Sequence, residues 1–488
     1  MKLNDPRLFR QLAYVDGKWT HSEGGEDQAV FDPANGETLG HVPLLTDHQI
    51  TQAVEAAERA FVLWRQLTVE ARAARLHNWF DLLHEHREDL AHIMTLEQGK
   101  PLKDARGEVD YGASFIQWFA EEGRRAYGET IPSHIPNAAL GTLKEPIGVA
   151  AMITPWNFPL AMITRKAAAA LAAGCTVVVK PANETPFSAL ALAELAERAG
   201  IPAGVFNVVT GEPVQVSEVL CGDARVKSVS FTGSTRVGRL LLRQSADSVK
   251  RVALELGGNA PFIVCEDMDP DEAAKAAIDA KFQTAGQDCL AANRIFVHRS
   301  LYERFLTCFT ERMKKLKVGN GLMEVDIGPL IHGRAVEMAN ALVDDALGKG
   351  ARLIAGDQHM APGSNFFMPT LLADITSEMR VFREETFSPV AAVCAFDDYD
   401  AVIEAANDTE YGLAAYVYTY DVRRIWKLLR GLEYGMVSVN SVKMTGPPIP
   451  FGGVKQSGLG REGARQGLEE YLETKYYCLG NMPTLSGS

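Results

Sequence analysis

Short apolar runs alternate with longer helical stretches along most of the chain. From about residue 147, the runs IGVAAMIT, TVVVK, FNVVT and VKSVSFTG are rich in β-branched residues and are separated by segments rich in alanine and leucine. The first of these segments predicts a helix over Ile163 to Ala173. Because parallel strands need a crossover connection between them, the alternation predicts a parallel sheet with helices on its faces.

The second helix of this series carries signals at both ends. Thr185 occupies the N-cap position, Pro186 the first helical position, and Gly200 the position just past the end. A hydroxyl accepts a hydrogen bond from the first turn, proline needs no donor there, and glycine adopts the left-handed conformation that ends helices. The pattern therefore predicts a helix between Thr185 and Gly200.

The same rhythm returns after residue 258 and predicts a second α/β unit. The strand-like runs are APFIV, NRIFVH, VAAVCAF and AAYVYTY, and helices are predicted near residues 271–285 and 300–316. Two segments differ from this rhythm: the proline-interrupted AYGETIPSHIPNAALGTLKEPIG and the β-prone tail YLETKYYCLGNM. We predict that both are projecting strands that contribute to a subunit interface.

Composition indicates a globular protein with a large core and argues against several classes of function. Of its 488 residues 47% are hydrophobic, and 49 Lys and Arg stand against 62 Asp and Glu, for a formal net charge of -13. Without a basic cluster, nucleic-acid binding through phosphates is not expected. The longest near-apolar run, Ala167 to Val179, is too short to cross a bilayer, so no membrane association is expected.

Seven cysteines are scattered along the chain without CxxC or Cys/His spacing. Their odd number and spacing predict neither a disulfide framework nor a metal site. The amino terminus also lacks an apolar signal-like core. We therefore expect a protein of the reducing cytoplasm.

Two glycine-containing motifs are candidates for binding a nucleotide. A GxGxxG match at Gly458, Gly460 and Gly463 follows PFGGVKQS rather than a strand and lies outside any predicted βαβ unit, so it lacks the required context. In SFTGSTRVG, Gly233 and Ser234 follow a strand and precede a helix whose N-terminus favours a pyrophosphate. On its own, the second motif fits an ordinary strand–helix turn equally well.

Three further turns carry candidate chemistry. In TPWNFP, Asn157 sits on a stiff turn, where its amide either donates to an oxyanion or binds local backbone. In LELGGNAP, Glu255 ends a strand as a desolvated base or as a solvated loop acid. In FQTAGQDCLAANR, Cys289 is a nucleophile or an inert thiol, and its neighbour Asp288 disfavours the thiolate. The combination of a thiol, an oxyanion donor, an acid and a phosphate cradle favours catalysis.

Seven blocks, in the same order, resemble those of the NAD(P)-dependent aldehyde dehydrogenase superfamily: PWNFP, VVVKPANETP, FTGSTRVG, LELGGNAP, FQTAGQDCLAAN, EETFSPV and PFGGVKQSGLGREG. The resemblance covers essentially the whole chain and implies an α/β fold with a Rossmann-like cofactor domain, an α/β catalytic domain and a small β oligomerisation extension. It implies a homodimer or homotetramer. The implied cofactor domain consists of residues 1–125 and 149–257, and residues 446–470 return to it. The implied catalytic domain consists of residues 258–445. The implied oligomerisation strands lie in residues 126–148 and 471–488.

The resemblance also implies roles for individual residues. The implied catalytic residues are the nucleophile Cys289, the general base Glu255, and Asn157, which forms the oxyanion hole with the backbone N–H of Cys289. For the cofactor it implies Lys180 at the adenine ribose, Ser234 at the pyrophosphate, Glu385 at the nicotinamide ribose and Phe387 near the nicotinamide. The other implied cofactor-binding residues are Thr154, Pro155, Trp156, Asn183, Gly233, Val237, Leu256 and Gly257.

This set of residues is suited to oxidising an aldehyde to an acid with NAD or NADP. NAD-preferring relatives often have a glutamate at the place of Asn183, whereas here the residue is neutral and Lys180 is available for a phosphate. We therefore expect either cofactor to work. A plain thiol hydrolase is the competing class of enzyme, but it requires a histidine partner and leaves the cofactor blocks unexplained.

Within the superfamily, the blocks look most like those of the succinate-semialdehyde dehydrogenase group. Arg165 matches the arginine that holds the far carboxylate of that substrate, and the alternative is a structural helix arginine. Gln283 stands where several members have a second such arginine, and Asp288 replaces a neutral residue, so both are assigned to substrate binding. We expect succinic semialdehyde or a related ω-carboxy semialdehyde as the substrate. A longer ω-oxo acid, an aminoaldehyde and an uncharged aldehyde remain alternatives.

Overall fold

The computed structural model describes residues 3–356 and 363–481. Residues 1–2, 357–362 and 482–488 of the predicted domain ranges lie outside the described residues. Within the described ranges, no helix combines the length and hydrophobicity that a bilayer crossing requires. The helices are α1 (Asp47–Trp64), α2 (Val69–Glu85), α3 (Arg87–Gln98), α4 (Leu102–Glu122), α5 (Ala161–Ala173), α6 (Pro186–Arg198), α7 (Pro213–Gly222), α8 (Thr235–Ser245), α9 (Pro270–Phe282), α10 (Tyr302–Met313), α11 (Gly333–Gly348), α12 (Arg380–Arg383), α13 (Tyr399–Asn407), α14 (Val422–Gly431) and α15 (Ala464–Glu469). The strands are β1 (Ala13–Val15), β2 (Lys18–Thr20), β3 (Asp27–Phe31), β4 (Thr38–Pro43), β5 (Thr130–Ile131), β6 (Ala138–Pro146), β7 (Val149–Ile153), β8 (Thr176–Lys180), β9 (Phe206–Val208), β10 (Val226–Thr232), β11 (Arg251–Glu255), β12 (Ala260–Val264), β13 (Ala292–His298), β14 (Arg352–Ala355), β15 (Thr370–Ala373), β16 (Val390–Phe396), β17 (Ala414–Tyr418), β18 (Met436–Val439), β19 (Gly458–Leu459) and β20 (Leu472–Gly480).

An eight-stranded sheet forms the first α/β unit, with the strand order β19-β11-β10-β7-β8-β9-β1-β2. The five strands from β11 to β9 are parallel, as the alternating sequence pattern predicts. The chain builds β7, β8 and β9 in one direction and then crosses back to add β10 and β11 on the other side of β7. Open α/β sheets bind ligands at the carboxyl ends of their strands, beside such a reversal of strand order. The topology therefore points to the space beyond β7 and β10.

The two central helices of this unit form for different reasons. Every residue of α5 is buried, and its many alanines allow α4 to pack closely against it. The helix α6 begins at Pro186 as predicted, but the predicted cap is wrong in detail, because the Thr185 side chain makes no capping hydrogen bond. The Glu97 carboxylate of α3 accepts hydrogen bonds from the backbone N–H groups of Phe187 and Ser188 at 2.7 and 2.8 Å instead. An acid that is distant in sequence thus replaces the local cap.

A seven-stranded sheet forms the second α/β unit, with the strand order β14-β15-β16-β13-β12-β17-β18. Its neighbouring strands are parallel except for β14 and β15. The helix that the sequence predicts over residues 271–285 ends at Phe282 instead. Thr284 and Ala285 adopt left-handed φ angles of 49° and 57°, which a helix does not tolerate. The chain therefore turns sharply just before Cys289.

A separate antiparallel sheet consists of β20, β6 and β5, in that order. The strand β20 pairs with β6 along its whole length, from Leu472 opposite Pro146 to Gly480 opposite Ala138. Most residues of β20 are exposed. Among the described residues its outer edge has no strand partner, so the backbone hydrogen-bonding groups of this edge are left open.

Candidate active site

A cavity of about 960 Å³ lies between the two α/β units. The first unit contributes the turns that follow β7, β10 and β11. The second contributes the segments that precede β13 and β16. The cavity thus occupies the place where the strand order of the first sheet reverses, which is the site that the topology favours.

Most residues of the predicted site lie in the wall of this one cavity. They are Pro155, Trp156, Asn157, Arg165, Gly233, Ser234, Leu256, Gly257, Gln283, Asp288, Cys289, Glu385 and Phe387. The predicted residues outside the cavity wall are Thr154, Lys180, Asn183, Val237 and Glu255. The backbone N–H of Thr154 donates to the Lys180 carbonyl at 3.1 Å, which keeps the ends of β7 and β8 together. Val237 lies in the first turn of α8, where its N–H donates to the Ser234 hydroxyl at 3.4 Å.

Cys289 is held tightly by the backbone around it. The left-handed residues Thr284 and Ala285 direct the chain into the site, and a Cβ on Gly258 would lie only 2.3 Å from the Cys289 carbonyl oxygen. Only glycine is tolerated at that contact. Burial raises the pKa of the Cys289 thiol well above its usual value, and the negative charge of Asp288 raises it further. The thiol is therefore held in its protonated form, as its acidic neighbour led us to expect.

Asn157 faces Cys289 from the turn after β7. Its Nδ2 donates to the carbonyl of Gln287 at 3.0 Å, which leaves the second amide hydrogen for another acceptor. Its own carbonyl accepts a hydrogen bond from the Lys100 Nζ at 2.7 Å. Lys100 forms a buried ion pair with Glu108 at 2.5 Å. Sequence reasoning missed Lys100 and Glu108, because they lie on another segment of the chain and carry no motif.

Glu255 ends β11 as predicted, but it lies behind the cavity wall. Its side chain is 3% exposed, and its Oε2 has no hydrogen-bond partner among the described residues. Burial raises the pKa of Glu255 well above its usual value, with a further contribution from Glu462. A carboxyl group in this position can accept a proton from the cavity only after its side chain rotates.

Gly458 of the GxGxxG match lies beside Glu255. The short strand β19 pairs Gly458 with Glu255 of β11, and a Cβ on Gly458 would lie 2.1 Å from the Leu254 carbonyl oxygen. The motif therefore supports the strand that carries Glu255. The short helix α15 follows Gly463, but β19 runs antiparallel to β11, so the motif lies outside any βαβ unit, as its sequence context indicated.

Arg165 has features of both roles that the sequence left open, a structural helix arginine and an arginine that binds a substrate carboxylate. Its Nε and the Nζ of Lys166 each donate to Glu462, so two cations share one carboxylate. The guanidinium also lies 4.0 Å from the centroid of the Phe451 ring. These contacts are structural, yet Arg165 also lines the cavity. Within the described residues Glu462 is the single ion-pair partner of the two cations, and the more distant Glu255 also acts on both. Sequence reasoning missed both Lys166 and Glu462.

The cofactor side of the cavity is built from close backbone approaches. A Cβ on Gly257 would lie 2.7 Å from Glu385 Oε2, and Glu385 Oε1 accepts from the Gly258 N–H at 2.9 Å. Ser234 caps α8, so the open N-terminus of this helix faces the cavity beside Gly233. The exposed backbone and the helix end fit a pyrophosphate. The rings of Trp156 and Phe387 meet edge to face at 5.5 Å.

Lys180 and Asn183 bind each other at the end of β8. The Lys180 Nζ donates to Asn183 Oδ1 and, at 2.9 Å, to the Pro181 carbonyl. The Asn183 amide donates to Gln28 at 2.7 Å. Burial lowers the pKa of Lys180 to about 8. A phosphate group would therefore meet a lysine that changes its charge near neutral pH.

Several residues of the cavity wall escaped sequence reasoning. They include Tyr111 of α4, Tyr416 of β17, and Lys443, Thr445 and Phe451 of the segment between β18 and β19. Lys443 is exposed and is a third cation of the wall, besides Lys103 and Arg165. Phe451 lies in the block PFGGVKQSGLGREG, whereas the other four belong to no motif, so only their common position in the fold associates them with the site.

Comparisons with known proteins identify the class of enzyme. The model of the aldehyde dehydrogenase family matches residues 19–477. The chain is 72% identical over 488 residues to the non-phosphorylating aspartate-semialdehyde dehydrogenase of Halomonas elongata, covering 100% of this chain and 99% of that protein. It is 53% identical over 481 residues to the NADP(+) succinate-semialdehyde dehydrogenase GabD of Escherichia coli, covering 98% and 100%. The crystal structure of succinate-semialdehyde dehydrogenase from Burkholderia pseudomallei matches with a TM-score of 0.97 at 49% identity, covering 98% and 100%.

The chain therefore belongs to the aldehyde dehydrogenase family. It is an oxidoreductase that acts on aldehydes. The family resemblance and the α/β fold with Rossmann-like and catalytic units are both confirmed.

Proposed function

We propose that this enzyme oxidises a short semialdehyde that carries a carboxylate at its far end, and that NAD+ or NADP+ accepts the hydride. The observation that carries the proposal is Arg165, a buried cation in the same cavity wall as Cys289. It shares its acidic partner Glu462 with Lys166, so the group retains a positive charge for a substrate anion. An arginine fork pairs with a carboxylate through two parallel hydrogen bonds.

In the proposed reaction, the thiolate of Cys289 adds to the aldehyde carbon and forms a thiohemiacetal. Asn157 and the backbone N–H of Cys289 donate hydrogen bonds to its oxyanion. A bound nicotinamide cofactor would supply the hydride acceptor for this carbon, and loss of the hydride leaves a thioester on Cys289. Water then attacks the thioester, Glu255 takes the proton of that water, and the acid leaves as the thiolate is regenerated.

The proposed cofactor site follows the first sheet from β8 to β11. Lys180 and Asn183 would hold the adenosine ribose, Gly233 and Ser234 the pyrophosphate, and Glu385 the nicotinamide ribose. Asn183 is neutral and Lys180 is cationic below its pKa of about 8, so a 2′-phosphate meets no acid from either residue. We propose that NAD+ and NADP+ are both accepted.

Two four-carbon substrates fit this proposal. The relative from E. coli is a succinate-semialdehyde dehydrogenase and the one from Halomonas elongata an aspartate-semialdehyde dehydrogenase. The two aldehydes differ by one ammonium group beside the carboxylate. Aspartic semialdehyde is the second candidate substrate. It is favoured by the identity of 72% with the relative from Halomonas elongata and by the acidic Asp288 in the cavity wall.

The test is a panel of aldehydes with purified wild-type protein and with Cys289→Ala. Succinic and aspartic semialdehydes are expected to give NAD(P)H absorbance at efficiencies up to about a hundredfold above that of an uncharged aldehyde, since a missing charged partner costs up to ~3 kcal/mol. Cys289→Ala is expected to abolish the signal. Equal efficiency with propanal would contradict the role of Arg165.

We further propose the division of labour between the units. Residues 1–125 and 149–257 would bind the cofactor with 446–470, and residues 258–445 would supply the catalytic thiol. Residues 126–148 and 471–488 would join subunits into a homodimer or homotetramer. The seven unpaired cysteines support a reducing compartment such as the cytoplasm.

A further inference from the structure

Asp288 lies in the wall of the substrate cavity and makes no direct ion pair with any residue that the structure describes. Its Oδ1 accepts a hydrogen bond from the Leu290 N–H at 2.9 Å. Three cations act on its charge: Lys100 and Arg165 form ion pairs with Glu108 and Glu462, and the buried Lys281 donates to Asn293 and Thr386. The half-buried side chain has its open part towards the cavity. A cationic group of a ligand in the cavity would therefore give this carboxylate its first direct ion pair.

This acid works against the chemistry of the site. Burial raises the pKa of Asp288 itself, and its charge raises the pKa of the adjacent Cys289 thiol. The charge of ionised Asp288 opposes formation of the reactive thiolate, and burial opposes ionisation of Asp288 itself. A cation held against Asp288 would reverse both effects, because it would stabilise the carboxylate and offset its field at the sulfur.

The same cavity offers the opposite charge on Arg165. Arg165 and Lys166 share the single carboxylate of Glu462, which leaves one positive charge. The guanidinium has five N–H donors, of which only Nε donates to Glu462, while Nη2 contacts the sulfur of Met162 at 3.1 Å. A positive and a negative group therefore both face the space beside Cys289, and both act on its thiol.

A ligand that satisfies both groups carries an anion and a cation close to its aldehyde. In a four-carbon α-amino acid semialdehyde, the ammonium and the carboxylate share one carbon, which lies two bonds from the aldehyde carbon. A semialdehyde that has the carboxylate but no amine can pair with Arg165, but it offers no cation to Asp288. It also brings a second anion near this acid.

We propose that Asp288 binds the ammonium group of an α-amino semialdehyde while Arg165 binds its carboxylate, so that Asp288 selects the aminated substrate over its unaminated counterpart. This inference rests on the proposed function, since it assumes that the cavity holds a carboxylate-bearing semialdehyde.

The test compares aspartic with succinic semialdehyde in the wild type, in Asp288→Asn and in Asp288→Ser. In the wild type, kcat/KM is expected to be higher for aspartic semialdehyde. In both variants the ratio of the two kcat/KM values should fall at least about tenfold, chiefly through KM, because a charge-assisted hydrogen bond to the ammonium is lost. The matched control is Asp279→Asn, which removes an exposed acid of α9 from the cavity wall. We expect this control to keep the ratio.

The outcomes separate this inference from the proposed function. If neither semialdehyde is oxidised by the wild type, the proposed function fails. If both are oxidised but Asp288→Asn changes them by the same factor, Asp288 acts only on the thiol and the inference is overturned. A wild type that prefers succinic semialdehyde overturns it as well.

A measurement on the wild type avoids any effect of substitution on folding. L-aspartate and succinate, the two acid products, differ by the ammonium group alone. With NADH or NADPH bound, L-aspartate is expected to inhibit at a concentration about tenfold lower than succinate, and the difference should disappear in Asp288→Asn. Equal inhibition in the wild type would contradict binding of the ammonium.

Discussion

At the scale of single residues, burial sets the charge on which binding depends. Lys180 lies at the end of β8 with the carbonyl of Pro181 and the amide of Asn183 as its partners. Burial lowers the pKa of Lys180 to about 8, so the side chain is cationic at lower pH and becomes neutral as the pH rises through this value. If Lys180 binds the 2′-phosphate of NADP+, as we propose, the preference between NADP+ and NAD+ depends on pH.

We predict that the affinity for NADP+ falls relative to that for NAD+ as the pH rises above about 8. The binding of a phosphate favours the protonated lysine, so the ratio of the two dissociation constants should change by up to about tenfold per pH unit above the pKa. Calorimetric titrations between about pH 7 and pH 9.5 measure this ratio. In Lys180→Met the ratio should be independent of pH. A constant ratio in the wild type would show that Lys180 does not meet the phosphate.

At the scale of elements, one ion pair joins α4 to the turn that carries Asn157. The side chains of Lys100 and Glu108 are each 1% exposed. Lys100 donates to the Asn157 carbonyl, and Glu108 accepts from the N–H groups of Leu160 and Ala161 at 3.0 and 3.1 Å. The pair therefore fixes both the turn that carries Asn157 and the start of α5.

We predict that Lys100→Met lowers both stability and kcat. It leaves the buried Glu108 without its cationic partner, which lowers the free energy of unfolding by about 3–5 kcal/mol. At temperatures where the variant stays folded, kcat should fall at least about tenfold with little change in KM, because Asn157 is misplaced. Denaturant titration and steady-state kinetics measure the two effects.

Lys103→Met is the matched control, three residues further along the chain in the first turn of α4. Lys103 pairs with Asp326 at 2.8 Å, but its side chain is 56% exposed. An exposed pair contributes about 0–1 kcal/mol, so this variant should keep its stability. An unchanged kcat in folded Lys100→Met would show that the ion pair is structural and does not position Asn157.

At the scale of the whole molecule, the sheet of β20, β6 and β5 presents a strand edge that no other described strand covers. Its edge strand β20 is mostly exposed, and it carries the apolar residues Tyr476 and Leu479, which are 55% and 49% exposed. Leu143 on β6 is 48% exposed. A long, open strand edge with apolar side chains pairs readily with another chain unless it is covered. We attribute its persistence here to assembly of subunits.

We predict that Leu143→Asp combined with Tyr476→Asp reduces the assembly to smaller species. Charges buried in an apolar interface are costly, so the subunits should separate. Light scattering coupled to size-exclusion chromatography gives the molar mass. Leu63→Asp, at an apolar residue of α1 that is 71% exposed, is the control for added charge. A wild type that elutes with the mass of one chain would contradict the proposed interface.

The sequence by itself determined the parallel α/β units and the turns that line the cavity. Periodicity fixes which faces are buried, and the residues that mark turns are local signals. Asn157, Gly233 and Cys289 are therefore found in motifs. The end of α9 at Phe282 was not predictable, because Thr284 and Ala285 take left-handed conformations that their residue types do not favour.

Only the tertiary structure decided what surrounds those turns. Glu97 caps α6 from a different helix, Lys100 holds Asn157 from the segment between α3 and α4, and Glu462 joins Arg165 to Lys166 across 297 and 296 residues of sequence. Glu255 lies behind the cavity wall although its motif is intact. Charge pairing and burial depend on distances between segments that no local pattern records, and these distances set which groups are ionised and which face the substrate.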